Sequence, residues 1–237
     1  MRIDGAVALV TGANRGLGSA IAARLVARGA RAYGGSRRPS EPTAPGVTPV
    51  PLDITDPAGV AAAAERCGDV TLLVNNAAVA SPGALLTGPA DLARREMETN
   101  YLGTLAMCRA FAPVLARNGG GALVNMLSIT SFFSFPGLGS LSATKAAAWS
   151  MTHGVRAELR AQGTLVVGVH ASAIDTRLAE GFDMPKHQPE EVADLILDAV
   201  EAGHEEVLAD ERTRWAKRSL PRDLELVYPT LNSELRP

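Results

Sequence analysis

The segment Thr11-Gly12-Ala13-Asn14-Arg15-Gly16-Leu17-Gly18 joins an apolar strand pattern to a helical one. Its glycines permit a tight turn and a close approach of backbone N–H groups, at a helix N-terminus that favours phosphate. Strand, turn and helix in this order are the context that gives such a motif meaning. After the second apolar run comes Gly34-Gly35-Ser36-Arg37-Arg38, with no carboxylate. Dinucleotide sites that bind free ribose hydroxyls place an acidic residue there. Arg37 and Arg15 instead suit a 2′-phosphate through charged hydrogen bonds, with solvated surface arginines as the alternative. Lys145, Lys186 and Lys217 are the only lysines among 23 basic residues. Lys145 therefore carries more weight than generic surface charge. Leu141 stands four positions before it in a helical pattern, so the two share a face.

The elements that must position these groups alternate. Short β-rich runs are expected as strands at Ala6–Thr11, Arg31–Gly34, Val47–Leu52, Val70–Asn75, Ala122–Leu127, Leu165–His170 and Glu206–Leu208. Ala/Leu/Arg-rich stretches between them predict helices at about Gly16–Arg28, Pro57–Cys67, Pro89–Asn100, Gly103–Arg117, Leu141–Gln162 and Pro189–Ala202. Pro89 and Pro189 stand where a helix's first turn tolerates proline. This is the pattern of an α/β fold with a doubly wound parallel sheet and helices on both faces. A chain of 237 residues suits one such domain, residues 1–237. Pro39–Pro51 reads as a surface connection. The connection after the sixth strand, about residues 173–188, is a candidate substrate lid, since open α/β sheets bind ligands beyond the carboxyl ends of their strands. The polar tail, about residues 210–237, is expected to form a helix, with no role assigned.

Further segments extend the pattern: Leu52-Asp53-Ile54-Thr55, Asn75-Asn76-Ala77-Ala78, Asn100-Tyr101-Leu102-Gly103, Asn125-Met126-Leu127-Ser128, Leu141-Ser142-Ala143-Thr144-Lys145 and Ile174-Asp175-Thr176. In this order and at these spacings the chain resembles the short-chain dehydrogenase/reductase family, over about Ala6–Thr176. The resemblance implies a Rossmann-type domain of about seven strands and a nicotinamide cofactor, here NADP(H). It places Gly12, Asn14, Arg15, Gly16, Leu17, Gly18, Arg37, Asp53, Asn75, Asn76, Ala77, Lys145, Ile174 and Thr176 at the cofactor. It places Ser128, Lys145 and Asn100 at the reacting groups: Ser128 bonding the substrate oxygen, Lys145 holding the nicotinamide ribose, Asn100 anchoring a water-linked proton relay. It also implies a homodimer or homotetramer built through the long helices flanking the Ser128 strand.

Two departures matter. The family has Tyr-x-x-x-Lys thirteen residues after the serine, and the tyrosine protonates the substrate oxygen. Here Leu141 stands in its place, and Phe132–Ser140 holds no tyrosine to replace it. The family also has Pro-Gly facing the nicotinamide, where this chain has Ala171 and Ser172. Leu141 and Ser172 are thus pocket residues, Ser172 either offering a hydroxyl or filling the space a glycine leaves. General acid catalysis contributes roughly two to four powers of ten in rate, so plain ketone reduction is not expected. Three readings stay open. One is reduction of an imine or enone that needs no acid at oxygen. Another is non-redox cyclase, isomerase or lyase chemistry on the same scaffold. The third is cofactor binding without catalysis.

Composition excludes other classes. A net charge of −2 leaves no footprint for nucleic acid or anionic membrane. No apolar run is long enough to span a bilayer, and no leader pattern precedes the first strand, so a cytoplasmic location and a small-molecule substrate are expected. Cys67 and Cys108 are too few and too scattered for a metal site or disulfide framework, and read as ordinary buried thiols.

Overall fold

The structure, a computed structural model, describes residues 1–38, 44–181 and 183–229. Phe182 of the expected lid, the start of the Pro39–Pro51 connection and the last eight residues of the tail lie outside them. Seven strands pair in one all-parallel sheet: β1 (Val7–Thr11), β2 (Arg31–Ser36), β3 (Val47–Pro51), β4 (Leu72–Asn75), β5 (Ala122–Met126), β6 (Leu165–His170) and β7 (Glu206–Leu208). Their spatial order is β3-β2-β1-β4-β5-β6-β7. The chain runs outward from β1 to β3, then returns across the sheet to β4. That reversal opens a crevice at the carboxyl ends of β1 and β4, where such folds place ligands.

Strand alternation builds the two layers. Leu9, Leu73, Leu123 and Val166 are in register across four central strands, as are Val10, Val74, Val124 and Val167 one residue on. The first row packs with Val60 of α2 (Pro57–Arg66), Phe111 and Leu115 of α4 (Thr104–Arg117) and Leu159 of α5 (Gly139–Leu159). The second row packs with Ile21 and Leu25 of α1 (Gly16–Ala27) and Ile196, Leu197 and Val200 of α6 (Pro189–Ala202). Each of these side chains is fully or almost fully buried. Such burial stabilises by about 1.5–3 kcal/mol per large aliphatic or aromatic side chain.

The expected helices form, with one correction. Pro89–Asn100 and Gly103–Arg117 are not separated by a break. After α3 (Ala90–Met97) the backbone widens into a π-helical stretch, Glu98–Gly103, that runs directly into α4. Two contacts demand this local widening. The Asn100 side chain takes up both the N–H and the carbonyl of Val79, at 2.9 Å each. Gly103 lies so close to Ile54 that an added Cβ would meet its Cγ1 at 2.8 Å. Insertions of this kind occur mostly near functional sites.

The connection after β6, expected as a lid, is tied together at its two ends. Ile174 and His187 form a parallel bridge, with Asp175 N–H donating to the His187 carbonyl and His187 N–H to that of Ala173, both at 2.9 Å. A short 3₁₀ turn, Arg177–Ala179, lies between them. The tail forms α7 (Glu211–Ser219) and α8 (Asp223–Leu226), and Tyr228 Oη accepts from Ser134 N–H at 3.2 Å. Among the described residues no helix is long and apolar enough to cross a membrane, and none cluster as a metal site.

Candidate active site

A cleft of about 2020 Å3 runs across the carboxyl ends of the strands, from Arg37 and Asp53 at one end to Trp215 and Val227 at the other. Its floor is the glycine turn. Gly12 and Gly16 have φ of 68° and 54°, in the left-handed region that glycine occupies without strain. Gly18 is required by space: an added Cβ would stand 2.3 Å from the Gly12 carbonyl oxygen. Thr11 and Asn76 lock the turn to the end of β4. Thr11 Oγ1 accepts from the N–H groups of Asn76 and Ala77 at 2.9 and 3.0 Å, and Asn76 Nδ2 donates to the Thr11 carbonyl at 2.9 Å. The side chain of Arg15, the N-cap residue, does not cap α1, and a helix start at the cleft is a ready anion site.

Asn14, Arg15, Leu17, Arg37 and Asp53 also line this end. β2 runs two residues further than expected, to Ser36, which puts Arg37 directly at its exit. Thr55 donates to Asp53 Oδ1 from its backbone N–H at 3.0 Å and its hydroxyl at 2.7 Å. The Thr55 N–H holds the Asp53 carboxyl below its ordinary value against the opposing effect of burial, with further help from the Thr55 hydroxyl and Arg37. An ionised, already satisfied carboxylate at this point sets the floor's shape and offers its remaining oxygen outward.

Ser128, Leu141, Lys145, Ser172 and Ile174 line the cleft further along, and Thr176 lines it beside Gly16 of the glycine turn. Ser128 caps a 3₁₀ turn, its Oγ accepting from Thr130 N–H at 3.1 Å. The hydroxyl proton is thereby left for an acceptor in the cleft. His170, completely buried and stacked on Phe132 at 4.3 Å, places Nδ1 3.1 Å from the Ser128 carbonyl. Burial pulls the His170 pKa down to about 4. The neutral ring then donates from Nδ1 and steadies Ser128 from behind. Lys145 is only 6% exposed and donates to the Met126 carbonyl at 2.7 Å. Burial alone brings its ammonium down to about 8. Leu141, 8% exposed, lies one helical turn away on the same face.

Two expected site residues are placed elsewhere. Asn75 and Asn100 do not line the cleft. Asn75 is at the end of β4 but turns toward α4, donating to Asn125 Oδ1 at 2.9 Å and to the Cys108 sulfur at 3.5 Å. Asn100 is 2% exposed, with Val79 on one side and Thr144 Oγ1 at 3.1 Å on the other. Its carbonyl accepts the Thr104 hydroxyl at 3.0 Å. The Asn100 side chain is thus engaged within the protein, while its carbonyl, with one donor, has a second lone pair.

Beyond Leu141 the lining includes the apolar Phe133, Phe135, Leu138, Met184, Trp215 and Val227, with Glu211 and Arg212 close to Trp215 in sequence. Trp215 and Val227 come from the tail, to which no role was assigned from sequence. The available signal was Asp210-Glu211-Arg212-Thr213, an N-cap pattern opening a helix, together with one of only two tryptophans.

Residues 6–186 match the model of the family described as short chain dehydrogenase. The chain belongs to that family. Among curated relatives, a sorbitol dehydrogenase of Cereibacter sphaeroides is 32% identical over 206 residues, covering 78% of this chain and 80% of that one. A 2-(R)-hydroxypropyl-CoM dehydrogenase of Xanthobacter autotrophicus is 33% identical over 198 residues, covering 76% and 79%. Among solved structures, a short chain dehydrogenase from Burkholderia cenocepacia in complex with NADP is 42% identical with a TM-score of 0.91, covering 98% of this chain and 99% of that one. A short-chain dehydrogenase/reductase from Burkholderia phymatum in complex with NAD has the same fold, with a TM-score of 0.84 at 24% identity over 95% and 96% of the chains. This short-chain dehydrogenase is thus a member of an oxidoreductase family whose fold binds nicotinamide cofactors. The glycine cradle, the α1 N-terminus and the buried Lys145 fit such a group.

Proposed function

We propose that this protein is an NADP(H)-dependent reductase of small apolar imines or enones, working without the phenolic acid of its family. The observation that carries the reading is the wall formed by Ser128, Leu141 and Lys145, in which hydrocarbon occupies the proton donor's position while its neighbours are retained. The bound nicotinamide supplies or accepts the hydride. Gly12 to Gly18 would hold its phosphates, Asp53 its adenosine, and Lys145, Ile174 and Thr176 its nicotinamide half. Arg15 and Arg37 favour the 2′-phosphate, since a guanidinium forms charged, forked hydrogen bonds that phosphate matches. The relative solved with NADP supports this choice.

Ser128 donates a hydrogen bond to the substrate oxygen of an enone, drawing electron density from the β-carbon. Leu141 and the aromatic side chains exclude water and hold the apolar part of the substrate. An iminium carries its own positive charge and needs no proton at oxygen. For an enone, the proton finally required at carbon comes from solvent after the hydride step. A soluble dimer or tetramer built through α4 and α5, in the cytoplasm, completes the proposal.

The test is to compare the protein with Leu141→Tyr on cyclohex-2-enone, a cyclic imine and a simple ketone, following NADPH absorbance and product mass. The natural protein should consume NADPH with the first two and leave the ketone essentially untouched. Leu141→Tyr should gain ketone reduction by about one hundredfold or more. Robust ketone reduction by the natural protein would overturn the reading, and product without NADPH consumption would select non-redox chemistry.

A further inference from the structure

One buried carboxylate joins three segments that meet at the substrate end of the cleft. Asp210 lies between β7 and α7, with its side chain only 5% exposed. Its Oδ1 accepts from Thr213 N–H at 2.8 Å, capping α7, while Thr213 Oγ1 lies 2.9 Å from both carboxylate oxygens. Its Oδ2 accepts from Ser172 N–H at 2.8 Å. His187, at the root of the lid, brings Nε2 to 3.8 Å from the same oxygen. Burial alone would raise the Asp210 pKa, but the donors from Ser172 and Thr213 prevail and hold the carboxyl below its ordinary value.

The two oxygens divide the work. Oδ1 serves α7, whose Trp215 forms the far wall of the cleft, and Oδ2 serves Ser172, which stands on the near wall. We propose that Asp210 is a positioning residue that clamps the tail's Trp215 wall to the Ser172–His187 loop, setting the width of the apolar pocket and so the size of substrate it accepts. This deepens the reductase reading and rests on it for the identity of the substrate. The clamp itself is a statement about which segments move together. Ser172 also gains a function: its N–H is directed to Asp210, so it anchors the loop.

Asp210→Asn separates the two tasks. The amide oxygen can still cap α7 at Thr213, but the amide nitrogen would face the Ser172 N–H donor to donor. Asp210→Ser, a good N-cap too short to reach Ser172, provides a second variant should the first fail to fold. Hydrogen exchange followed by mass spectrometry should show residues 170–176 and 187 losing protection although α7 keeps its cap, while β1 and α1 stay as they were. With cyclohex-2-enone as probe, KM should rise roughly tenfold, the scale of a lost buried hydrogen bond to a charged group, with the NADPH Kd unchanged. Exchange that increases in α7 alone, or in neither segment, would overturn the clamp. So would an NADPH Kd that weakens in step with KM, the mark of general loosening. If residues 170–176 and 187 loosen but the natural protein does not reduce the enone, the clamp stands and the reductase reading falls.

Discussion

Lys145 shows how one substitution changes the meaning of its neighbours. It is buried with no anionic partner, and desolvation brings its pKa to about 8 from an ordinary 10.5. The unfolded chain keeps this proton until about pH 10.5 and the folded one releases it above about 8. Between those values the unfolded state binds more protons, so stability from this group rises with pH, and below 8 the full penalty is present. In urea unfolding, the stability difference between the natural protein and Lys145→Met should therefore grow in favour of the natural protein from pH 8 to 10. Cys67 and Cys108, raised by burial to about 11 and 12, act in the opposite direction above about pH 9. They are common to both proteins and cancel in the difference. A flat difference would show that Lys145 is not desolvated. Ser128 and Lys145 were legible in the sequence because their spacing fixes them on a strand end and a helix face. Asn75 and Asn100 were not, because sequence places a residue on an element without fixing whether its amide turns to the cleft or to the core.

At the scale of elements, the turn from β1 into α1 was read correctly, and its steric reason is now explicit. Gly18→Ala puts a methyl carbon 2.3 Å from a backbone oxygen and 2.5 Å from Asn76 Nδ2. The turn or α1 must shift, at about 1–3 kcal/mol, and the N–H groups that would meet phosphate shift with it. The expected result is a lower melting temperature together with an NADPH Kd weakened at least tenfold, measured by NADPH fluorescence. Unchanged affinity would remove the cradle from the site. The union of α3 and α4 was hidden for a different reason. Gly103 marked a boundary by local propensity, but its lack of a Cβ serves contact with Ile54, so a tertiary demand overrode the local signal. The two helices after β7 were only half visible, since their pattern is polar and they pack through Ala216 and Val227 against Phe132 and Phe133, far away in sequence.

For the whole molecule, seven parallel strands and the reversal between β1 and β4 followed from alternation of strand and helix patterns. What alternation could not supply is which residues close the cleft, because those come from segments far apart in the chain. The cleft spans the full crest of the sheet, so a cofactor lying in it bridges elements from β1 to β6. Binding to the folded state alone raises stability by mass action, by about 2.7 kcal/mol at one hundred times Kd. NADPH should raise the melting temperature in a concentration-dependent way and NADH should do so less. Arg37→Asp should reverse that order, as read by calorimetry at equal cofactor concentrations. Equal shifts for both cofactors in the natural protein would dissociate Arg37 from the 2′-phosphate.

The position of Asp210 has a consequence for how the protein comes into being. A ribosome delivers residues in order, and domains begin to organise while synthesis continues. By the time Ser172 has been made, the glycine turn, Ser128 and Lys145 already precede it, and the residues of the phosphate end are all present. The wall containing Trp215 cannot yet form, because α6, β7 and Asp210 come later. The nascent protein should therefore be able to grip its cofactor before it can discriminate among substrates, and cofactor present during synthesis would act as a template on which the final helices dock.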